Sequence, residues 1–304
     1  ENIKNIHVVW FGGEPLLGIK QIESLYRKMI LIPDKNYSFS IISNGFLISP
    51  DIIKLFKEMK LQHIQITLDG LKETHNKIKF TKNENDTFSR TIKNIDLLAS
   101  SAPEIRISIR VNMNKENSSE FITLYSFILQ RYKSNPLIGI YPAFITSTSS
   151  KSSSSCSLLF NRQEKSEFIQ QLYYDRGIVT NLCGYPDSSF TECSIRNKHT
   201  FTIDPEGYLY KCWEIIGDQK YAIAKLDSEG TIQSIDQKIL NRYLYAADPL
   251  EDKTCSKCPY LPICFGGCPH KRIENIFKDK HYDTCTYLKG SLKEFIKIHL
   301  SQNS

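Results

Sequence analysis

The chain has 304 residues, a formal net charge of +6, 40% hydrophobic and 24% charged residues. This balance is typical of a globular protein with a large apolar core, and the charge is spread along the chain rather than gathered in a basic tail. The apolar runs are too short for a membrane span and the first residues lack a signal-peptide pattern, so we expect a cytoplasmic protein with no membrane or nucleic-acid partner.

The first half of the chain predicts parallel strands joined by helices, because short β-branched runs alternate with helical patterns up to about residue 145. Five strands are expected, at Ile6–Phe11, Ser38–Ile42, His63–Leu68, Ile105–Val111 and Leu137–Phe144. Four helices should connect them, including Lys20–Ile30 and Ser49–Met59. The mostly apolar strands favour a sheet covered on both faces. A partly closed barrel and an open doubly wound sheet both fit, with ligands at the carboxyl ends of the strands.

The middle of the chain predicts a loop, a helix and then a change of domain. Residues 147–157 are rich in Ser and Thr, which indicates a flexible loop, with a lid over a substrate channel as the alternative. A helix is expected over Arg162–Tyr174. After residue 180 short strands, turns and cysteines predominate, so we predict domains at 1–180 and 181–304. The second should be held together more by ligands than by apolar burial.

The cysteines indicate metal binding. Eight of the nine lie between Cys183 and Cys285, and clustered cysteines in a larger cytosolic chain favour metal sites over disulfides. Two thiolates in a C-x2-C turn can face the same metal. Residues 201–212 predict a β-hairpin that ends at one cysteine. We expect Gly266 and Gly267 to let the backbone approach a bound cluster closely.

The order C-x13-G-x4-C followed by C-x2-C-x5-C-x3-C-x16-C resembles the SPASM domain of radical SAM enzymes that modify peptides and proteins. The resemblance implies two auxiliary [4Fe–4S] clusters with crossed ligands. The first cluster would be held by Cys193, Cys212 and Cys268, with Cys183 as the candidate fourth ligand. The second would be held by Cys255, Cys258, Cys264 and Cys285. Because zinc also accepts four thiolates, a pair of structural zinc sites is the alternative.

Motifs at three strand ends resemble the same family. GGEP at 12–15 resembles the segment that holds the amino group of S-adenosylmethionine (SAM), while SNG at 43–45 and TLDG at 67–70 resemble turns near its ribose and methionine. The family often continues with H-D-x-x-R, where this chain has Lys79 in place of Arg. The resemblance implies a cofactor site formed by Gly12, Gly13, Glu14, Ser43, Asn44, Thr67, Asp69 and Lys79. Alternatively, Asn44 and Asp69 only shape turns.

The family's C-x3-C-x2-C triplet, which binds the catalytic [4Fe–4S] cluster, does not occur in the sequence. In family order it would precede GGEP by a few tens of residues. We therefore expect an N-terminally truncated chain, inactive by itself, with the third cluster on the missing segment. The fold that the resemblance implies is α/β, a partial (β/α)6 radical SAM barrel followed by a small cysteine-rich SPASM domain with a β-hairpin.

The resemblance implies an oxidoreductase-type peptide maturase. In this family a 5′-deoxyadenosyl radical abstracts hydrogen from a peptide or protein substrate, leading to a cross-link, a thioether or an oxidation, and the electron donor is a flavodoxin or ferredoxin. Sulfatase maturases carry a catalytic Asp after the cysteine that corresponds to Cys212, where this chain has Trp213, so formylglycine chemistry is disfavoured. No catalytic residue is identified. The alternative is a non-catalytic iron–sulfur or zinc module that recognises a peptide or partner.

Overall fold

The computed structural model describes residues 3–80, 85–146, 156–179 and 193–302. The chain forms two units, Glu1–Phe160 and Asn161–Ser304. Cys183 and most of the Ser-rich segment lie outside the described residues. The boundary between these units precedes the predicted helix at 162–174. The predicted domain boundary after residue 180 stays a prediction. Among the described helices, none is both long and apolar enough to cross a membrane.

The first unit contains a parallel sheet of five strands arranged in chain order. The strands are β1 (Asn5–Trp10), β2 (Asn36–Ser43), β3 (His63–Leu68), β4 (Arg106–Met113) and β5 (Ile138–Phe144). All five predicted strands are present, with small differences at their ends. The consecutive order is that of a barrel-type sheet, because a doubly wound sheet reverses its strand order at a switch point. The α/β prediction is confirmed.

Five α-helices connect these strands. They are α1 (Ile19–Met29), α2 (Pro50–Glu58), α3 (Lys72–Ile78), α4 (Thr87–Ser101) and α5 (Phe121–Arg131). The prediction of four is wrong because the connection from β3 to β4 contains both α3 and α4. The Asp86 side chain accepts a hydrogen bond from the Ser89 backbone N–H and so starts α4 as a separate helix.

The sheet has a helix-covered face and an open face. Connections between parallel strands are right-handed in almost all proteins, and such connections between consecutive strands place the helices on the same side of the sheet. Tyr26 of α1, for example, packs edge-on against Phe39 of β2, with ring centroids 5.5 Å apart. In β3 the helix-covered side chains are the buried Ile64, Ile66 and Leu68, and the half-buried ones on the open face are His63, Gln65 and Thr67. The expectation of apolar residues on both faces is therefore wrong, since the open face is polar.

The second unit begins with α6 (Arg162–Arg176), which confirms the predicted helix. A four-stranded antiparallel sheet follows, formed by β6 (Thr202–Ile203), β7 (Tyr208–Tyr210), β8 (Ala224–Leu226) and β9 (Ile232–Ile235). The predicted hairpin is β6–β7, and its turn contains Gly207 at a φ of 84°. The sequence patterns did not indicate β8 and β9. The remaining α-helices are α7 (Gln237–Asn241), α8 (Leu261–Cys264), α9 (Pro269–Lys278) and α10 (Leu292–Gln302).

An apolar cluster stabilises the second unit. Its buried members are Ile195, Tyr210, Ile215, Tyr243, Ala247 and Ile273, and Cys212 packs against it. Burial of such side chains contributes on the order of 1.5–3 kcal/mol each. The unit thus has an apolar core of its own, while the expectation that ligands contribute more than apolar burial stays a prediction.

Two glycines allow the cysteine-bearing loops of the second unit to meet. Gly266 and Gly267 have φ values of 77° and 71°. A Cβ atom at Gly267 would lie 1.8 Å from the carbonyl oxygen of Thr284, and one at Gly266 would lie 2.4 Å from the Cβ of Pro249. These glycines therefore bring the loop after Cys264 against the residue that precedes Cys285. Their predicted role in approaching a cluster remains a prediction.

We predict that Gly267→Ala destabilises the chain more than Gly217→Ala does. Both glycines have positive φ, but a Cβ at Gly217 would meet nothing within 4 Å. Gly217→Ala should cost about 1–2 kcal/mol for backbone strain alone, and Gly267→Ala about 2 kcal/mol more for the collision with Thr284. Urea unfolding of the two variants measures the difference. Equal losses of stability would show that the loop contact does not restrict residue 267.

Candidate functional site

The Glu14 carboxylate joins two loops at the carboxyl edge of the sheet. Its Oε1 accepts hydrogen bonds from the Leu16 backbone N–H at 3.0 Å and the Ser43 hydroxyl at 2.8 Å, and its Oε2 accepts from the Asn44 backbone N–H at 2.7 Å. The loop after β1 is thereby fixed to the turn after β2. Since a carboxylate oxygen can accept two hydrogen bonds, Oε2 keeps capacity for a ligand donor.

Asp69 is a buried carboxylate at the same edge. It follows β3, is 4% exposed, and accepts a hydrogen bond on Oδ1 from the Asn112 side chain at 3.2 Å. Its Oδ2 is buried without a hydrogen-bond partner among the described residues, and the Lys79 ammonium lies 3.8 Å from it. A buried acceptor of this kind carries a desolvation cost that a ligand hydroxyl or ammonium would relieve.

His75 holds the turn that carries Asp69. Its Nδ1 accepts a hydrogen bond from the Asp69 backbone N–H at 3.3 Å, and the ring is 1% exposed. Burial lowers the pKa of His75, although the charge of Asp69 raises it. The ring is therefore neutral near pH 7 and acts as a hydrogen-bond acceptor.

The remaining predicted cofactor residues are Gly12 and Gly13, which follow β1, and Thr67 in β3. At Gly12 and Gly13 an added Cβ would meet nothing within 4 Å, so their backbone faces open space. Thr67 lies near the end of β3, on the open face. Of the eight residues, the structure thus brings Glu14, Ser43 and Asn44 into hydrogen-bond contact, and it pairs Asp69 with Lys79.

Two positioning residues, Asn117 and Glu120, escaped the sequence analysis. Asn117 donates from its side chain to the Asp69 carbonyl at 2.7 Å and to the Asn112 carbonyl at 2.9 Å. Glu120 accepts from the Leu71 backbone N–H at 2.6 Å and so fixes the end of the TLDG turn. The detectable signal was the run NMNKEN at 112–117, which places amides directly after a strand.

Four cysteines of the second unit surround one cavity. Its lining includes Cys255, Cys258, Cys264 and Cys285, which are the four residues predicted to hold the second cluster. None of the described cysteines forms a disulfide. The thiols come from α8, the turn before it and the segment before α10, so they are brought together by the fold and not only by sequence spacing.

A buried arginine contacts this cysteine group. The Arg272 side chain is 5% exposed and donates from Nη1 to the Cys255 sulfur at 3.3 Å. Its Nη2 lies 3.3 Å from an Asp252 carboxylate oxygen, and that carboxylate also accepts from the Cys255 backbone N–H at 2.9 Å. The Lys289 ammonium lies 3.6 Å from the Cys285 sulfur. Such donors orient and stabilise thiolate ligands.

The other predicted cysteines form a second group. Burial, together with the neighbouring thiols of Cys268 and Cys193, raises the pKa of the Cys212 thiol to about 12. These are the three described residues of the first predicted set, and its candidate fourth ligand, Cys183, lies outside the described residues. Thiolates bind soft metals and iron–sulfur clusters. Within the described ranges, no three Cys, His, Asp or Glu side chains converge on a single-ion site.

Residues 2–128 match the model of the Radical SAM superfamily. The chain carries a radical SAM domain. That domain contains the carboxyl-edge site, and the chain resembles radical SAM enzymes with an additional cysteine-rich domain over nearly its whole length.

Two relatives of this chain are sulfatase-maturating enzymes. The chain is 25% identical to a cysteine-type anaerobic sulfatase-maturating enzyme of Clostridium novyi, covering 90% of this chain and 75% of the relative. It is 23% identical to a serine-type anaerobic sulfatase-maturating enzyme of Klebsiella aerogenes, covering 88% and 67%. The solved structure of native anSMEcpe with bound AdoMet covers 99% of this chain and 84% of its own, at 20% identity and a TM-score of 0.68. This structural likeness shows a shared fold.

We predict that Glu14→Gln destabilises the radical SAM domain by about 1–3 kcal/mol. The Gln side chain has an N–H2 group in place of one carboxylate oxygen. This group faces at least one of the three N–H or O–H groups that now donate to Glu14, so that donor loses its hydrogen bond. Glu23→Gln on the exposed side of α1 is the matched control, because Glu23 pairs only at the surface. Urea unfolding compares the two variants. A loss no larger than that of the control would contradict the bridging role of Glu14.

Proposed function

We propose that this chain is the SAM-binding and auxiliary-cluster-binding part of a radical SAM enzyme that modifies a peptide or protein substrate. The observation that carries the proposal is the cavity lined by Cys255, Cys258, Cys264 and Cys285, in a chain whose other unit is a radical SAM domain. A related protein of the same fold, native anSMEcpe, is described with bound AdoMet and a Cp18Cys peptide. Its ligands support a peptide as the substrate class.

The carboxyl edge of the sheet supplies the groups that fit SAM. Gly12 and Gly13 leave open space beside the backbone, and the remaining acceptor capacity of Glu14 Oε2 suits an ammonium. The unpartnered Oδ2 of Asp69 is an acceptor for a ribose hydroxyl or a charged group. Bound SAM, cleaved by an electron from a [4Fe–4S] cluster, supplies a 5′-deoxyadenosyl radical that abstracts a hydrogen atom. The residues named here bind and orient; none transfers a proton.

The two cysteine groups are proposed to hold two auxiliary [4Fe–4S] clusters. Cys255, Cys258, Cys264 and Cys285 would hold one, and Cys193, Cys212 and Cys268 would hold the other with Cys183. Arg272 and Lys289 place positive charge beside the first of these groups, which favours accepting an electron. We therefore propose that a cluster held by these four cysteines would serve as an electron acceptor.

Trp213 bears on the type of modification. It directly follows Cys212 and is 60% exposed, and an indole cannot act as a general base. The residue therefore favours a cross-link or thioether over the oxidation of Cys or Ser that sulfatase maturases carry out. A flavodoxin or ferredoxin is proposed as the electron donor.

The 304-residue chain is proposed to be inactive by itself, because its sequence contains no C-x3-C-x2-C triplet. The reaction would require a catalytic cluster bound to such a triplet. A protein in which these 304 residues are joined to a triplet-bearing segment is therefore the material for the activity test.

We predict that a protein in which these 304 residues are joined to a triplet-bearing segment cleaves SAM to 5′-deoxyadenosine under a chemical reductant, and that Asp69→Asn slows this reaction about tenfold or more. Removal of a hydrogen bond to a charged group costs about 1.5–3 kcal/mol, and about 1.4 kcal/mol corresponds to a tenfold change. Formation of 5′-deoxyadenosine is measured by chromatography, with Glu23→Gln as the surface control.

Two outcomes would contradict the proposal. If the reconstituted, triplet-bearing protein binds clusters but never cleaves SAM, the chain is a non-catalytic iron–sulfur module. If Asp69→Asn cleaves SAM as fast as the control, the carboxyl-edge site described above is not the cofactor site.

A further inference from the structure

The open face of the sheet contains a positive charge that no described group neutralises. Arg110 lies in the middle of β4, is half-buried, and makes no hydrogen bond or ion pair with any residue that the structure describes. Its Nε is fully buried. A buried N–H donor without a partner costs free energy, which a ligand that accepts a hydrogen bond from the guanidinium would recover.

Gln65 adds a second unsatisfied donor on the same face. Its Nε2 is buried without a partner among the described residues, while its Oε1 accepts a hydrogen bond from the Tyr141 hydroxyl at 2.6 Å. This bond fixes the amide so that its N–H2 group points away from Tyr141. The strand register places Tyr141 opposite Arg110, and Arg110 opposite Thr67 of β3.

The guanidinium lies close to Tyr141. Burial raises the pKa of Tyr141, and the positive charge of Arg110 lowers it. Gln65 and Arg110 therefore approach the same phenol from neighbouring strands. Their free groups are all donors, and one of them is charged.

Among the described residues, no acidic side chain pairs with these donors. The five strands contain neither Asp nor Glu, and the Asp69 carboxylate at the edge is contacted by Asn112 and Lys79 rather than by Arg110. A planar guanidinium beside an amide N–H2 group matches a carboxylate, which accepts on two oxygens.

We propose that Arg110 and Gln65 bind a carboxylate of the peptide substrate, either an acidic side chain or the C-terminus. This inference rests on the proposed function and names a substrate feature. Gln65 lies four residues before Asp69, or about 13 Å along the strand, and is therefore deeper in the open face than the loops of the proposed cofactor site, whereas Arg110 lies opposite Thr67. A carboxylate that reaches both side chains extends below those loops, which favours a substrate carboxylate over the carboxylate of SAM.

Small peptide mimics test this site directly in the 304-residue chain. Ligand-observed NMR would measure binding of N-acetylglutamate methylamide and of the uncharged N-acetylglutamine methylamide. We expect wild type to prefer the glutamate probe about tenfold, which corresponds to about 1.4 kcal/mol, and Arg110→Gln to lose this preference. Arg106→Gln is the matched control, because Arg106 is exposed on the same strand and face. Equal binding of both probes by wild type, or a preference that persists in Arg110→Gln, would overturn the proposal.

Thermal unfolding without ligand separates a binding role from a structural one. Removal of a half-buried charge with no ion-pair partner among the described residues should leave the midpoint of Arg110→Gln unchanged or higher, whereas a structural arginine would lower it. A lower midpoint with an unchanged glutamate preference would overturn the proposal.

Binding of S-adenosylhomocysteine and of 5′-methylthioadenosine, which lacks the amino-acid part, distinguishes the source of the carboxylate. If Arg110→Gln weakens only S-adenosylhomocysteine, the site binds the cofactor and the proposal is wrong. If wild type binds neither nucleoside but still prefers the glutamate probe, the proposed function fails while this site stands.

Discussion

The consecutive order of five parallel strands is the constraint on which the function of the first unit depends. Because each connection is right-handed, all helices cover one face, and the apolar side chains are used there. The other face is left for polar residues such as Gln65 and Arg110, and the loops at the carboxyl edge are left for ligands. Hydrogen bonds from Glu14 and Asn117 then fix those loops to one another. Binding and folding therefore use different sides of the same strands.

The second unit depends on a different constraint, which is the placement of its cysteines. Its cysteines come from separate segments, and a folded framework brings the thiols of Cys255, Cys258, Cys264 and Cys285 to one cavity. An apolar cluster that includes Tyr210 and Tyr243 provides that framework. Gly267 allows two cysteine-bearing segments to touch, and Arg272 ties Cys255 to Asp252. The four cysteines around the cavity are therefore held in place before a cluster binds, which reduces the free-energy cost of binding it.

Much of the fold was predictable because its signals are local. Strands with β-branched runs and the hairpin around Gly207 follow from short-range patterns, and the cysteine grouping followed from spacing that resembles a known domain. The extra helix in the β3–β4 connection was missed because α3 is only seven residues long. The polar open face was missed because single residues such as Arg110 within an apolar strand do not reveal which side they face. The partners of Asp69 and Cys255 were missed because they are 43 and 17 residues away in sequence.

The central claim is that the cysteines of the second unit hold two [4Fe–4S] clusters, and its most direct test is the iron and acid-labile sulfide content of the chain after anaerobic reconstitution. The account predicts about eight iron and eight sulfide per chain, falling to about four of each in Cys258→Ser, which removes a ligand from only one group. About two zinc ions per chain and no sulfide would contradict it and identify a structural metal protein instead.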